Sequence, residues 1–269
     1  MSSMNMVMRA AAKCTALAFA GAVFASAALP AQADTLAEIE KAKVIRIAVP
    51  QDFAPFGSVG PDLQPRGYDI DMANYIAKQL GVKAQLVPVT SANRIAYLQT
   101  HKVDLVISSL GKNPEREKVI DFSVPYAPFF SGVYGLNGDG VTAAAGLSGK
   151  TVGATRGAIE EQELTKLAPA DATVKRFEDN NATVSAFISG QVDYIATGNT
   201  VAATVAEKSP SRKPELKFVI KDSPCYVGLN KDEPALLAKV NEIITKAKAD
   251  GTLAKFSETW LKAPLPANF

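Results

Sequence analysis

The stretch Ser108-Ser109-Leu110-Gly111-Lys112-Asn113-Pro114-Glu115-Arg116 brings two hydroxyls, a glycine and an arginine close together. It follows directly on Val103-Asp104-Leu105-Val106-Ile107, an apolar run that reads as a buried strand. In open α/β sheets, ligands collect at the carboxyl ends of such strands. An arginine offers a carboxylate two parallel N–H donors, and backbone N–H groups near a glycine take its remaining lone pairs. The chemistry that fits is the capture of a small carboxylate. A solvated loop with Arg116 on a helix surface would also suit these residues. One histidine, His101, and two cysteines, Cys14 and Cys225, leave too little material for a zinc site or a Cys/His enzyme, and no cofactor or metal is expected. The near balance of 29 basic against 27 acidic residues argues against a general nucleic-acid binder.

The elements that would position these residues alternate short apolar strands with amphipathic helices. The pattern predicts strands at 44–49, 82–89 and 103–108, with helices at 69–80 and 92–100. Met72, Ala73, Ile76, Ala77 and Leu80 share one helix face, and Gly81 suits the stop. After a Gly/Ala-rich stretch at 137–148 the pattern restarts. Strands are predicted at 149–154, 173–177, 192–196 and 216–220, and helices at 159–167, 181–189, 199–208 and 234–250. A shorter helix with Trp260 follows Gly251. The run from Leu98 to Ser108 and that from Ile188 to Thr197 share one build: a helix end, a turn, then a Val-Asp-apolar strand. Chance gives such matches too, but the restart at 149 makes two lobes of similar α/β build the better reading. Two such lobes leave a cleft between them, where small ligands bind.

At 269 residues and 47% apolar, the chain can bury one large core or two modest ones. Arg9 and Lys13 precede an apolar run over 16–29, which ends before Ala31-Gln32-Ala33. That is the layout of a cleavable secretory signal, with cleavage expected after Ala33. The run is shorter than the ~20 residues needed to cross a bilayer. Losing Arg9 and Lys13 and no acid would leave the exported chain with balanced charge. A bacterial periplasm is the expected compartment.

The motifs together resemble the periplasmic solute-binding protein family 3, the polar amino acid-binding components of ABC importers. Gly67-Tyr68-Asp69-Ile70-Asp71-Met72 and its continuation to Leu80 are similar to that family's signature. Ser108–Arg116, continued by Val119-Ile120-Asp121-Phe122-Ser123 and Pro125-Tyr126, resembles its ligand-binding segment. Val192-Asp193 and Asp250-Gly251-Thr252-Leu253 with Trp260 are similar as well. The resemblance implies a two-lobed clamshell of the type II periplasmic binding proteins, with a mainly parallel sheet in each lobe. It places the first lobe at 34–131 plus 227–269, the second at 132–226, and two hinge strands near 130–134 and 224–228. It implies that Arg116 grips a ligand carboxylate and that Gly111 gives that group a backbone N–H. A carbonyl near Ser109 would accept from the ligand ammonium, and Phe53 would stack on the ligand side chain.

The chain also departs from the family pattern. Gly198 stands where the resemblance implies an ammonium-binding Asp, which leaves Asn199 as an uncharged acceptor. Gly157-Ala158-Ile159 replaces Gly-Thr-Thr, so Ala158 and Ile159 offer an anion only the N–H groups of a helix start. Glu160 or Glu161 could supply the missing negative charge, and a second acidic group on the ligand could meet Arg94 or Arg156. Asp69 and Asp71 read as helix-capping acids. Trp260, Phe122 and Tyr126 read as packing residues and His101 as exposed. The function expected is capture of a small carboxylate-bearing solute, most readily an amino acid, by a monomer that delivers it to an inner-membrane ABC permease without chemistry. A periplasmic enzyme on the same fold, of the cyclohexadienyl dehydratase kind, and a sensor component are the rivals.

Overall fold

Short apolar runs separated by amphipathic stretches fold as alternating strands and helices, and the computed structural model describes them over residues 35–267 and residue 269. The expected leader and its cleavage site lie outside the described residues. Helix α1 (Thr35–Ala42) leads into β1 (Val44–Pro50), followed by a small sheet of β2 (Asp52–Phe53), β3 (Gly57–Val59) and β4 (Pro65–Arg66). Then come α2 (Tyr68–Gln79), β5 (Lys83–Val89), α3 (Arg94–Gln99), β6 (Leu105–Leu110), α4 (Pro114–Glu117) and β7 (Ile120–Ala127). The next segment holds β8 (Phe130–Gly135), β9 (Thr151–Thr155), α5 (Ile159–Leu167), β10 (Thr173–Phe177) and α6 (Asn180–Ile188). It continues with β11 (Tyr194–Gly198), α7 (Asn199–Lys208) and β12 (Glu215–Asp222). The chain closes with β13 (Cys225–Asn230), α8 (Pro234–Ala249) and α9 (Thr252–Phe256).

Two five-stranded sheets result, ordered β5-β1-β6-β13-β7 and β10-β9-β11-β8-β12. In each, three strands are parallel: β1 with β5 and β6, and β9 with β10 and β11. The remaining pairings are antiparallel, through β13 in the first sheet and β8 in the second. The sheets are therefore mixed, and their parallel halves carry the helical crossovers. The reason is connectivity. The strands β8 and β13, which fall in the expected hinge segments, follow no crossover helix, so each enters its sheet running against its neighbours. The chain passes from the first sheet to the second between β7 and β8, and returns between β12 and β13.

Both faces of each sheet are covered. Met72 and Ile76 of α2 and Val240 and Ile244 of α8 pack on Ile45, Ile47 and Leu105. Leu98 of α3 covers Val106 and Leu110 from the other side. In the second sheet Leu164 of α5 meets Val133 and Val152, and Phe187 of α6 meets Ile195. The central strand β6 is buried along its whole length, apolar at its start and polar only at Ser108 and Ser109 near its carboxyl end. Helix ends follow their local chemistry. Gly81, at φ +68°, stops α2. The Asn113 side chain accepts from Arg116 N at 2.9 Å, with Pro114 in the first turn of α4, and Asp179 accepts from Ala182 N at 2.7 Å to start α6.

Candidate functional site

The carboxyl ends of the parallel strands β1, β6, β9 and β11 face one another across a cavity, as the topology of open α/β sheets requires. About 420 Å³ of space free of protein atoms lies along it, open solvent included. The first-sheet side supplies Pro50, Asp52, Phe53, Val89, Ser91, Arg94, Ser108 and Ser109. The second-sheet side supplies Thr155, Ala158, Glu160, Asn180, Ala196 and Thr197.

Arg94 opens α3 and is 4% exposed. Its Nη1 donates to the Ser108 carbonyl, which holds the guanidinium at the end of β6, while its Nε has no hydrogen-bond partner among the described residues. Burial lowers its pKa, and the charges of Glu160 and Asp69 oppose that shift. Glu160 lies in the first turn of α5 and is 5% exposed. Burial pushes its carboxyl up from the ordinary value. Its own backbone N–H, the charges of Arg94 and Arg116 and the Ser131 hydroxyl pull the other way. Among the described residues it makes no ion pair, whereas its neighbour Glu161 accepts from Arg176 Nε at 2.6 Å. Two adjacent helical residues point about 100° apart, so one acid reaches the cavity while the other turns to Arg176.

Arg116 is also buried, and its guanidinium is engaged elsewhere. Nη1 donates to Gly111 O at 2.6 Å and Nη2 to Gly157 O at 2.9 Å. Burial, reinforced by the positive charge of Arg94, lowers its pKa to about 9. A buried guanidinium close enough to Arg94 for that charge to lower its pKa makes the region near the pair favourable for an anion.

Of the residues expected at the site, Phe53, Arg94, Ser109 and Ala158 do line the cavity. Arg116 and Gly111 are tied to each other behind its wall. Ile159 packs across the cleft on Gly111, where a Cβ would come within 2.8 Å of Ile159 Cδ1. Asn199 accepts from Phe130 N at 3.3 Å and faces a different groove, shared with Trp260. The empty place at Gly198 also has a structural cause: a Cβ there would sit 2.2 Å from the Phe129 ring, which fills the space a longer side chain would need. Arg156 pairs with Glu178 at 3.0 Å and is half exposed.

Asp69 and Asp71 do not cap their own helix. Asp71 accepts from Trp260 Nε1 at 2.7 Å and pins the C-terminal segment. The wholly buried Asp69 accepts from Ser109 N at 2.7 Å, from Ser109 Oγ at 3.0 Å and from Tyr126 OH at 2.6 Å. These bonds hold Ser109 at φ +46°, left-handed backbone for a non-glycine residue at the cavity edge. Phe122, Tyr126 and Trp260 do not line the cavity, and His101 is exposed, bonded through Nδ1 to Asn230 at 3.3 Å.

Asp52, Ser91, Thr155, Asn180 and Thr197 line the cavity without having been expected. The clue for Asp52 was its place beside Phe53. Its Oδ2 accepts from Asn180 N at 2.7 Å, so a residue of the first-sheet side contacts the start of α6 directly. Thr155 donates to Asn180 Oδ1 at 2.9 Å, a pairing of separate elements with no local signal. Contacts across the cleft recur: Asn113 Nδ2 donates to Gln162 Oε1 at 2.8 Å, and Gly157 lies so near Ala92 that a Cβ would approach its Cα to 2.7 Å. The two sides are closed on the cavity.

Comparison with known proteins gives a consistent result. A model of the bacterial extracellular solute-binding proteins, family 3, matches residues 45–263. The ABC transporter glutamine-binding protein GlnH of Bacillus subtilis is 30% identical over 234 residues, 85% of each chain. Among solved structures, the amino acid ABC transporter substrate-binding protein AbpA of Streptococcus pneumoniae, bound to L-arginine, aligns with a TM-score of 0.78 at 31% identity. The match covers 84% of this chain and 98% of that one. The ancestral amino acid-binding protein AncCDT-1, a precursor of cyclohexadienyl dehydratase, aligns with a TM-score of 0.78 at 32% identity, over 84% of this chain and 99% of its own.

Proposed function

Because the chain belongs to the bacterial extracellular solute-binding proteins, family 3, we propose that it captures a free amino acid in the cavity between its two lobes and hands it to an ABC permease. One observation carries this reading: the cavity between the two sheets is lined by the buried Arg94 and the buried Glu160 from opposite sides of the cleft, with the buried Arg116 behind its wall. Arg94 takes the ligand carboxylate, and Arg116 adds its charge from behind the wall while tying the lobes through Gly157. Ser109 and Ser91 offer polar groups beside it, and Phe53 offers a face to the ligand side chain. The lobes divide where the chain crosses between sheets. The protein acts outside the cytoplasm, in the periplasm, as a monomer, and releases its ligand chemically unchanged.

The test is a thermal-shift screen of refolded, ligand-stripped protein against the twenty standard amino acids. A ligand binding only the native state raises stability by about 2.7 kcal/mol at a hundredfold excess over Kd, a shift of several degrees for a domain of this size. At least one amino acid is expected to give that shift and to be recovered intact after prolonged incubation. A panel with no responder overturns the reading, and consumption of the responder would turn it into an enzyme.

A further inference from the structure

Glu160 has an unusual position for a buried acid. It is nearly inaccessible, it lines the cavity, and no lysine or arginine among the described residues pairs with it. Its own backbone N–H and the Ser131 hydroxyl favour its charged form, but neither carries a full charge. Removing a carboxylate from water without a paired opposite charge is costly, and such groups persist where something else supplies that charge. Its counterpart is Arg94, equally buried on the opposite side of the same cavity, with one N–H that has no partner among the described residues. The two charges are held apart on different lobes, Arg94 by the Ser108 carbonyl and Glu160 by the first turn of α5. The end of β11 cannot provide an acid in place of Glu160, because the Phe129 ring occupies the side-chain space at Gly198. The remaining cavity carboxylate, Asp52, already accepts two bonds from Asn180, at 2.7 and 3.2 Å.

We infer that Glu160 is the group that recognises the ligand's α-ammonium, so that a zwitterion lying with its carboxylate on Arg94 and its ammonium on Glu160 bridges the two lobes. This deepens the reading above and rests on it. A zwitterion satisfies both buried charges at once, whereas a plain carboxylate leaves Glu160 uncompensated and a plain amine leaves Arg94 so. Because each contact comes from a different lobe, only a ligand carrying both groups gains its full binding energy in the closed state.

The experiment compares wild type, Glu160→Gln and Asp52→Asn by calorimetry. The probes are the amino acid with the largest thermal shift among the twenty and its des-amino analogue, in which hydrogen replaces the α-ammonium. Wild type is expected to favour the amino acid by on the order of 30-fold or more, the range for one partner of a buried charge pair. Glu160→Gln should weaken the amino acid by a similar factor, leave the analogue within about threefold, and so remove most of the preference. Asp52→Asn should keep the preference. If Glu160→Gln does not fold, as judged by circular dichroism and melting, Glu160→Asp serves instead: it keeps the charge, withdraws it by one methylene, and should narrow the preference partway. Full preference in the Glu160 variant, or its loss in Asp52→Asn instead, overturns the inference and leaves amino acid capture standing. A wild type that binds none of the twenty overturns the reading beneath it.

Discussion

A carboxylate wholly removed from water shows how much of this site is set behind the cavity wall. Asp69 accepts three hydrogen bonds, two of them from Ser109, and so fixes left-handed backbone at the cavity edge. Burial still outweighs those bonds and raises its pKa to about 6 from the ordinary 3.8. The native state then binds this proton more tightly than the unfolded chain does. The contribution of Asp69 to stability is therefore greatest below about pH 4 and declines as pH rises through about 6. In Asp69→Asn that decline is absent. Melting temperatures of variant and wild type, measured from pH 4 to 7.5, should shift relative to each other in favour of the variant as pH rises. Curves that stay parallel would show that Asp69 does not titrate in this window. The acid was visible in the sequence as part of a signature, but its partners were not. Ser109 and Tyr126 reach it from other strands, and a helix-start acid looks locally like a cap. Glu160 and Glu161 posed the same difficulty, since nothing in a pair of adjacent acids says which one the helix turns inward.

At the scale of elements, the hydrophobic pattern was highly legible. The helices Ile159–Leu167 and Asn199–Lys208 and the strand Thr173–Phe177 lie where periodicity places them, and most other elements differ by one to three residues at an end. The pattern did not show β2, β3 and β4, whose two- and three-residue runs are too short to carry a period, nor α1, α4 and the eight-residue β7, nor the antiparallel direction of β8 and β13. Direction depends on what connects a strand, and the lack of a crossover helix becomes decisive only once the partners are known. The junction between β9 and α5 is the element-level feature most directly tied to function. Gly157 has φ +74°, and a Cβ there would come within 2.7 Å of Ala92 Cα and 2.9 Å of the Ser91 carbonyl. Both neighbours lie on the first-sheet side of the cavity and Gly157 on the second-sheet side, so the clash falls where the two sides meet. Gly157→Ala should cost the folded chain about 1–2 kcal/mol through its left-handed backbone. It should also weaken amino acid binding by at least about tenfold, because closure is impeded. Calorimetry checks the second effect, and an affinity equal to wild type would mean that Gly157 does not set the closed contact.

For the whole molecule, the sequence conveyed the division into two α/β halves through its restart at residue 149, and the structure adds how they meet. Asp52 with Asn180, Asn113 with Gln162 and Arg116 with Gly157 are polar ties across one cleft. Hydrogen bonds of this kind contribute about 0.5–1.5 kcal/mol each net of water, so ligand binding is the term that decides between open and closed. A solute touching one lobe only cannot shift that balance. The cavity's charges come from both lobes, which is the arrangement a capture protein needs and a permease can read as a change of shape. The most direct test is a calorimetric titration of wild type and Arg94→Ala with the amino acid that most stabilises wild type. Saturable one-to-one binding that weakens by at least about tenfold in Arg94→Ala, with the unliganded variant still folded, is the predicted result. Equal affinities in the two proteins would contradict capture in this cavity.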